Sequence, residues 1–320
     1  MILRIFNSQI ARSFWLILFL LCAVQARSQQ SPLYPLSNRV FNPFVINPAA
    51  AGSKDFASID MNLSSLAKNT SMLLSFNTRL TKKGNEYFSA PAEYTFSRIA
   101  VGGFAFSEEA GVHRNIGSGL SIAYHLPLGS DNLSFLSVGA TLKGIYNIYD
   151  GEPDLGKAAK NMFIPQADAG IYFYSPVFTA GLSATNLLGE PDDTSATGIP
   201  VSRQLFFTAG YKLRLSQVRN FILEPGVIIN TDDSFSTDVS DMVQPYMKLY
   251  LEKFCMGTYL SSFERLGVFF QYRYPGFYIS SYFGIPLESK PFFKSPMLAE
   301  FAIGVNLSGH KLKFMGLNHW

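Results

Sequence analysis

The chain has 320 residues, of which 48% are hydrophobic, 15% aromatic and only 15% charged. An average soluble domain carries roughly 25% charged residues, so this chain lacks the charge that solvates a water-facing surface. Lys and Arg number 26 against 23 Asp and Glu, which leaves a net charge of +3 and no basic run to follow a phosphate backbone. These values argue against a nucleic-acid binder and against a disordered chain. The composition indicates a protein whose outer surface need not face water.

The first 28 residues have the plan of a secretory signal peptide. Two arginines precede an apolar run at residues 14–24, and small residues follow it near residue 28. The run is shorter than the about 20 apolar residues that a membrane-spanning helix needs. We therefore expect residues 1–28 to be a cleaved signal peptide, with a retained N-terminal anchor as the alternative. Cys22 leaves with this peptide, and the remaining Cys255 excludes an intramolecular disulfide.

The rest of the sequence alternates with a period of two. In residues 117–128 and 203–215 large apolar side chains occupy one face, and polar or small side chains occupy the other. This alternation is typical of β-strands with one apolar side, and no apolar run after residue 28 reaches the length of a membrane-spanning helix. It predicts about 14 strands, an even number as in bacterial barrels. They are residues 55–63, 69–80, 98–107, 116–128, 132–149, 163–174, 177–187, 203–215, 220–230, 244–252, 254–264, 265–274, 277–286 and 297–308.

A soluble sandwich and a transmembrane barrel both fit this alternation, and three features favour the barrel. The predicted strands have about 9–13 residues, enough for a tilted bilayer crossing, whereas sandwich strands usually have about 5–6. Aromatic residues concentrate near strand ends, where membrane barrels carry their girdles. Basic residues occur in mid-strand on the polar face, which a wet lumen tolerates. These are Arg79, Lys143, Lys212, Arg214 and Arg273. We predict an all-β fold with one antiparallel transmembrane β-barrel over residues 55–320.

The segment before the first strand, residues 29–54, carries the most specific motif. Residues 41–53 read FNPFVINPAAAGS, with two Asn-Pro steps followed by a run of small residues. Proline restricts its own backbone and that of its predecessor, so each step fixes a turning point. We predict a short non-helical plug or rim element in which the motif has a structural role. The motif residues are Asn42, Pro43, Asn47, Pro48 and Gly52.

This motif, placed between a signal peptide and a barrel of this length, resembles the PorP/SprF family of the Bacteroidota type IX secretion system. The resemblance implies a protein of the outer membrane of a Gram-negative bacterium, in contact with outer-membrane lipid. It also implies two protein partners: the type IX translocon, and a secreted surface protein with a type-B C-terminal sorting domain that this barrel binds and helps to secrete or anchor. The family offers no catalytic residues to carry over, so we expect no enzymatic activity and no cofactor or metal.

Two other functions stay open. One is an outer-membrane transport barrel for a hydrophobic or small solute, which basic lumen residues would allow. The other is a membrane-embedded hydrolase, but Ser121 and His125 lie about 13 Å apart along one strand and form no triad by themselves. Acidic loops at 150–162, 188–202 and 231–243 are interpreted as solvated loops or a partner surface, with calcium binding left open.

Overall fold

A computed structural model describes the chain in twelve stretches. They are residues 36–54, 57–66, 69–81, 96–128, 134–151, 159–188, 203–216, 221–232, 242–261, 265–274, 276–287 and 298–307. The predicted signal peptide lies outside these stretches, as do most of the acidic loops. Among the described residues, no helix has the length and apolar character needed to cross a membrane.

Most of the described chain forms β-strands. In chain order they are β1 (Ala57–Leu66), β2 (Asn69–Thr81), β3 (Phe96–Ala110), β4 (His113–Leu128), β5 (Ser134–Tyr149), β6 (Lys160–Tyr174), β7 (Phe178–Thr185), β8 (Gln204–Tyr211), β9 (Leu213–Ser216), β10 (Phe221–Asp232), β11 (Val243–Leu251), β12 (Phe254–Ser261), β13 (Arg265–Tyr274), β14 (Phe277–Pro286) and β15 (Leu298–Leu307).

These strands form one closed antiparallel barrel. Neighbours in sequence pair with each other, and β1 pairs with β15 along its whole length, which closes the ring. The segments β8 and β9 belong to one strand, because both pair with β10. Lys212 interrupts them, and its backbone N–H donates to the Val177 carbonyl at 2.7 Å. Counted this way, the described wall has the 14 strands that the sequence predicted.

The outer face of the wall is apolar. In β4 the exposed side chains from Leu120 to Leu126 are large and apolar, with Leu120 at 71% exposure, and they alternate with buried small or polar residues. In β15, exposed Phe301 and Ile303 alternate with buried Glu300 and Ala302. A continuous apolar surface of this kind requires lipid around it. The predicted transmembrane barrel is therefore confirmed.

The two rims of the barrel differ in their connections. The rim at which β1 ends carries most of the long connections, among them residues 150–159, 186–203 and 233–242, and we call it the loop rim. The opposite rim, which we call the turn rim, carries the start of β1, the end of β15 and, apart from residues 82–95, short connections. Because bacterial membrane barrels have short periplasmic turns and longer extracellular loops, the loop rim faces the cell exterior.

The described part of the N-terminal segment contains three short helical pieces. They are α1 (Leu36–Phe41) and two single 3-10 turns, Pro43–Val45 and Pro48–Ala50. The expected absence of a strand here is confirmed, but the expected non-helical conformation is wrong. The reason lies in the Asn-Pro steps, because the fixed φ of proline suits the first position of a helical turn. Each proline therefore starts a turn rather than an extended stretch.

Candidate functional site: a plug inside the barrel

The motif segment lies inside the lumen, in the half next to the turn rim. We call residues 39–54 the plug. Its central residues are almost completely buried, and Ile46, Ala49 and Ala51 each have 0% exposure. The contacts of the plug reach β5, β6 and β7 on one side of the barrel and β13 and β14 on the other. The plug therefore spans the lumen.

The second Asn-Pro step anchors the plug through one amide side chain. Asn47 Oδ1 accepts a hydrogen bond from the Ala49 backbone N–H at 3.0 Å and so caps the 3-10 turn. Asn47 Nδ2 donates to the Ile171 carbonyl at 3.0 Å and to the Leu182 carbonyl at 3.4 Å. These carbonyls belong to β6 and β7. A single buried asparagine thus shapes its own turn and ties it to two wall strands, which needs both an acceptor and a donor.

Glycines in the wall make room for this turn. A Cβ atom at Gly139 in β5 would lie 2.6 Å from the Ala49 nitrogen, and one at Gly181 in β7 would lie 2.8 Å from Asn47 Nδ2. A Cβ at Gly170 in β6 would collide with the same amide. No side chain fits at these contacts without a displacement of the plug. The wall and the plug are therefore complementary at the level of single methyl groups.

Polar side chains of the wall bind the plug carbonyls. Ser137 Oγ donates to the Ala49 carbonyl at 2.6 Å, and Ser183 Oγ donates to the Ile46 carbonyl at 2.7 Å. His125 Nε2 lies 2.9 Å from the Ala51 carbonyl, which can only accept, so this nitrogen is the donor. Buried carbonyl groups need such partners, because leaving one unpaired costs about 1–3 kcal/mol.

The first Asn-Pro step joins a buried polar network around Asp60 of β1, which has 0% exposure. Asn42 Nδ2 donates to Asp60 Oδ2 at 2.8 Å, and Ser58 Oγ donates to the same oxygen at 3.1 Å. The Tyr278 hydroxyl donates to the other carboxylate oxygen. Asn77 Nδ2 donates to Asn42 Oδ1 at 3.4 Å. One carboxylate therefore gathers donors from the plug, β1 and β14.

The plug ends at Gly52, where the backbone adopts a left-handed conformation with φ of +67°. A side chain here would also collide with the Ala100 Cβ atom, so the position requires glycine on two grounds. The Gly52 N–H donates to Asn77 Oδ1 at 3.3 Å. Burial lowers the pKa of the nearby Lys54 below its ordinary value, and the negative charge of Asp60 opposes this shift. The left-handed turn leads the chain into β1.

Sequence reasoning missed the aromatic and charged groups that hold the start of the plug. The Phe41 ring packs edge-on against Phe269 at 5.4 Å, and Lys248 Nζ lies 5.4 Å from the Phe41 ring centre. Lys248 also pairs with Glu224 at 2.8 Å, and Tyr250 donates to the same carboxylate at 2.7 Å. Both charged residues occupy inward positions of paired strands. The opposite charges of Glu224 and Lys248 could have indicated an ion pair from the sequence. That these two residues pair follows only from the register of β10 and β11.

The basic residues predicted to face the lumen have different surroundings. Lys143 is buried and pairs with Asp168 at 2.8 Å. Arg79 is half-buried, with its guanidinium 4.5 Å from the centre of the Phe135 ring. Lys212 and Arg273 are also half-buried, whereas Arg214 is exposed in β9. The prediction is therefore right for Lys143 and wrong for Arg214, because β9 at the turn rim lacks the alternation of the other strands.

The residues considered for a hydrolase are not brought together. The Ser121 hydroxyl lies 2.7 Å from the Thr141 hydroxyl. The His125 ring binds the Ala51 carbonyl through Nε2 and the Tyr174 hydroxyl, at 3.0 Å, through Nδ1. Both ring nitrogens are thus engaged, Nε2 with the plug and Nδ1 with the wall strand β6. Among the described residues, no three His, Cys, Asp or Glu side chains lie close enough to hold a metal ion.

A lipid-facing barrel whose N-terminal segment plugs the lumen defines the class of protein, a transmembrane β-barrel of the outer membrane. The family described as type IX secretion system membrane protein PorP/SprF matches residues 26–296 by its sequence profile. The chain therefore belongs to the PorP/SprF family. It is an outer-membrane barrel of the type IX secretion system, as the sequence motif predicted.

Solved barrels resemble the chain only distantly. The CymD monoaromatic hydrocarbon channel has 11% identity and a TM-score of 0.44, with 88% of this chain and 96% of that chain covered. The KdgM porin has 9% identity and a TM-score of 0.37, with 79% and 99% covered. BamA from Haemophilus ducreyi lacking POTRA domains 1–3 has 10% identity and a TM-score of 0.36, with 79% and 70% covered. No curated protein matches the chain.

Proposed function

We propose that this barrel binds a secreted surface protein with a type-B C-terminal sorting domain, and helps to secrete or anchor it together with the type IX translocon. The observation that carries the proposal is the plug, built from the motif that the family resemblance rests on. A lumen filled at the turn rim offers a cargo protein no path through this barrel. A secretion-system barrel of this kind acts on its cargo from outside the lumen, as a docking and anchoring protein.

The plug also supports this proposal over the transport barrel. Solute transport needs a continuous lumen, whereas Asn47, Ser137, Ser183 and His125 fix the plug across it. Such a plug would have to leave for every transported solute. A non-enzymatic role is part of the same proposal, because His125, the candidate base, has both ring nitrogens engaged.

We further assign the family motif a structural role within this function. Asn42 and Asn47 supply the side-chain contacts, Pro43 and Pro48 start the two turns, and Gly52 supplies the left-handed exit into β1. The motif keeps the lumen closed while the outer rim engages a partner.

Affinity purification of the tagged, full-length barrel from its native outer membrane tests the proposal. We expect mass spectrometry of the mild-detergent extract to recover a large secreted protein with a type-B C-terminal sorting domain, with or without translocon subunits. An equally abundant tagged barrel from the same membrane serves as the control. Recovery of the barrel alone, while other outer-membrane complexes stay intact, would contradict the proposal. Solute uptake by proteoliposomes would then support the transport function.

A further inference from the structure

The wall is uneven at the loop rim, because β6 is longer than β7. β6 pairs with β5 along its whole length, from Lys160 to Tyr174. β7 pairs only with Ala169–Tyr174 of β6. One further hydrogen bond, from the Leu187 N–H to the Ala167 carbonyl at 2.8 Å, marks the last backbone contact of this chain segment with β6. Within the described chain, no strand lies beside residues 161–165 on the side of β7.

The direction of the backbone groups along this edge follows from that last hydrogen bond. In an antiparallel sheet, successive residues direct their N–H and C=O groups to opposite sides. The Ala167 carbonyl faces β7, so the backbone groups of Pro165, Phe163 and Asn161 face the same way. Pro165 agrees with this assignment. Proline has no N–H, so the β5–β6 ladder loses no hydrogen bond only if the backbone of Pro165 faces β7. The edge therefore presents two N–H and three C=O groups.

A specific contact ends β7 next to this edge, which has no further strand beside it in the described part of the chain. Asn186 adopts a left-handed conformation with φ of +58°, and its N–H donates to Asp168 Oδ1 at 2.8 Å. Asp168 is itself held by Lys143 at 2.8 Å. Leu188, the last described residue of this stretch, is 62% exposed. The Asp168 side chain of β6 thus binds the Asn186 backbone at the position where β7 would otherwise continue alongside β6.

The open edge lies at the membrane surface on the outer side. Asn161 shares a row of the sheet with Ile148 and Arg114. Arg114 forms an exposed ion pair with Glu109 at 3.1 Å on the outer face, and such charges do not lie in the hydrocarbon core. Phe163, which is 63% exposed, pairs with Tyr146 and has the position of an interfacial aromatic residue. The edge extends from this girdle into water.

We propose that the edge Asn161–Pro165 binds an extended segment of the secreted surface protein, which adds to the sheet as an antiparallel strand in line with β7. This inference rests on the proposed function, which supplies a partner at the outer face. A row of alternating N–H and C=O groups is complementary to a polypeptide backbone, whereas a lipid or small solute has no such repeat. The exposed Phe163 ring provides an apolar contact for a side chain of the added strand.

Two substitutions at one residue isolate the backbone contribution. Phe163→Ala removes the ring and keeps the N–H, whereas Phe163→Pro removes both, and neither breaks a β5–β6 hydrogen bond. The probe is the purified C-terminal sorting domain of the surface protein recovered by affinity purification, and its Kd for the full barrel in nanodiscs is measured. We expect Phe163→Pro to bind about tenfold more weakly than Phe163→Ala, the value of one good hydrogen bond. Pro165→Ala adds an N–H donor and should strengthen binding severalfold.

Disulfide trapping from Asn161→Cys, in a Cys255→Ala background, identifies the occupant of the edge. A cross-link to the sorting domain supports the proposal. A cross-link to cysteines placed in residues 189–202 of the same chain, or to a second copy, overturns it. Equal Kd values for Phe163→Ala and Phe163→Pro, with heat-modifiable migration showing a folded barrel, also overturn it. In those cases the proposed function still holds if affinity purification recovers the surface protein. If the purification fails to recover it, the proposed function itself is wrong.

Discussion

The fit between Gly139 and the plug leads to a quantitative prediction for Gly139→Ala. The added methyl group would lie 2.6 Å from the Ala49 nitrogen and from the Pro48 carbonyl carbon, whereas ordinary contact begins at 3.4 Å. The plug backbone must therefore move by about 0.8 Å, which is the difference between these distances. This displacement weakens the bonds from Ser137 to Ala49 and from Asn47 to the wall.

The cost can be worked out from these contacts. Two weakened hydrogen bonds contribute about 0.5–1.5 kcal/mol each, and overpacking adds about 1–3 kcal/mol, so docking of the plug loses about 2–6 kcal/mol. That loss corresponds to a rise of about 30-fold to about 20,000-fold in the undocked fraction. The wall itself should not be destabilised, because alanine suits a strand interior better than glycine does. The effect of Gly139→Ala is therefore confined to the plug.

Hydrogen–deuterium exchange with mass spectrometry measures this fraction in the detergent-solubilised barrel. We expect faster exchange in the peptide that covers residues 41–54, by the factor above, and unchanged exchange in β4–β6. Gly276→Ala is the matched control, because a Cβ atom there meets nothing within 4 Å. Unchanged protection of residues 41–54 in Gly139→Ala, in a folded barrel, would refute the reasoning about the fit.

Three further substitutions test other contacts. Asn47→Ala removes the cap and both wall bonds and should raise plug exchange at least as much as Asn47→Asp, which keeps only the cap acceptor; equal exchange in wild type and Asn47→Ala would contradict this. Asp60→Asn places a donor among three donors and should lower the Tm of the barrel, at about 1.5–3 kcal/mol per charge-assisted bond, whereas exposed Asp150→Asn should not. Lys143→Met leaves the Asp168 charge buried without its partner and should lower the free energy of unfolding in denaturant by about 3–5 kcal/mol. The double variant Lys143→Met with Asp168→Leu should lose less, and a single variant more stable than the double variant would contradict this.

The wall of this barrel could be predicted from the sequence because lipid imposes a strict period on it. Outward residues within the membrane face hydrocarbon, so alternation survives along strands such as β4 and β15. The interruption at Lys212 could not be read from the strand itself, because the wall continues there: the Lys212 N–H donates to the Val177 carbonyl in the register of β7 and β8. Residues 203–215 therefore read as one strand. The local sequence pattern is sufficient to predict a strand where the surrounding lipid determines the alternation. It is insufficient where a contact with another strand determines the structure.

The interior was harder to predict, because its contacts join distant parts of the chain. The Asn-Pro steps were recognisable, but a plug and a rim element carry the same sequence pattern. Ser137 and Ala49 are 88 residues apart, and Ser183 and Ile46 are 137 apart. Gly139 and Gly170 read only as small residues on a polar face. Their role as a receptor for the plug depends on the register of β5 and β6, which no local signal gives.

The position of the open β6 edge is restricted by the membrane. Unpaired backbone groups cost several kcal/mol each in hydrocarbon, so a barrel strand can end early only where its neighbour has already reached water. The contact between Asn186 and Asp168 ends β7 close to that level. Of the residues that have no described strand beside them, the one nearest the hydrocarbon is Pro165, and it has no N–H to leave unsatisfied. The donors of Phe163 and Asn161 lie farther out, at the aromatic girdle and beside the charged row of Arg114. The edge is thus compatible with the bilayer while its outer part stays able to bind a strand.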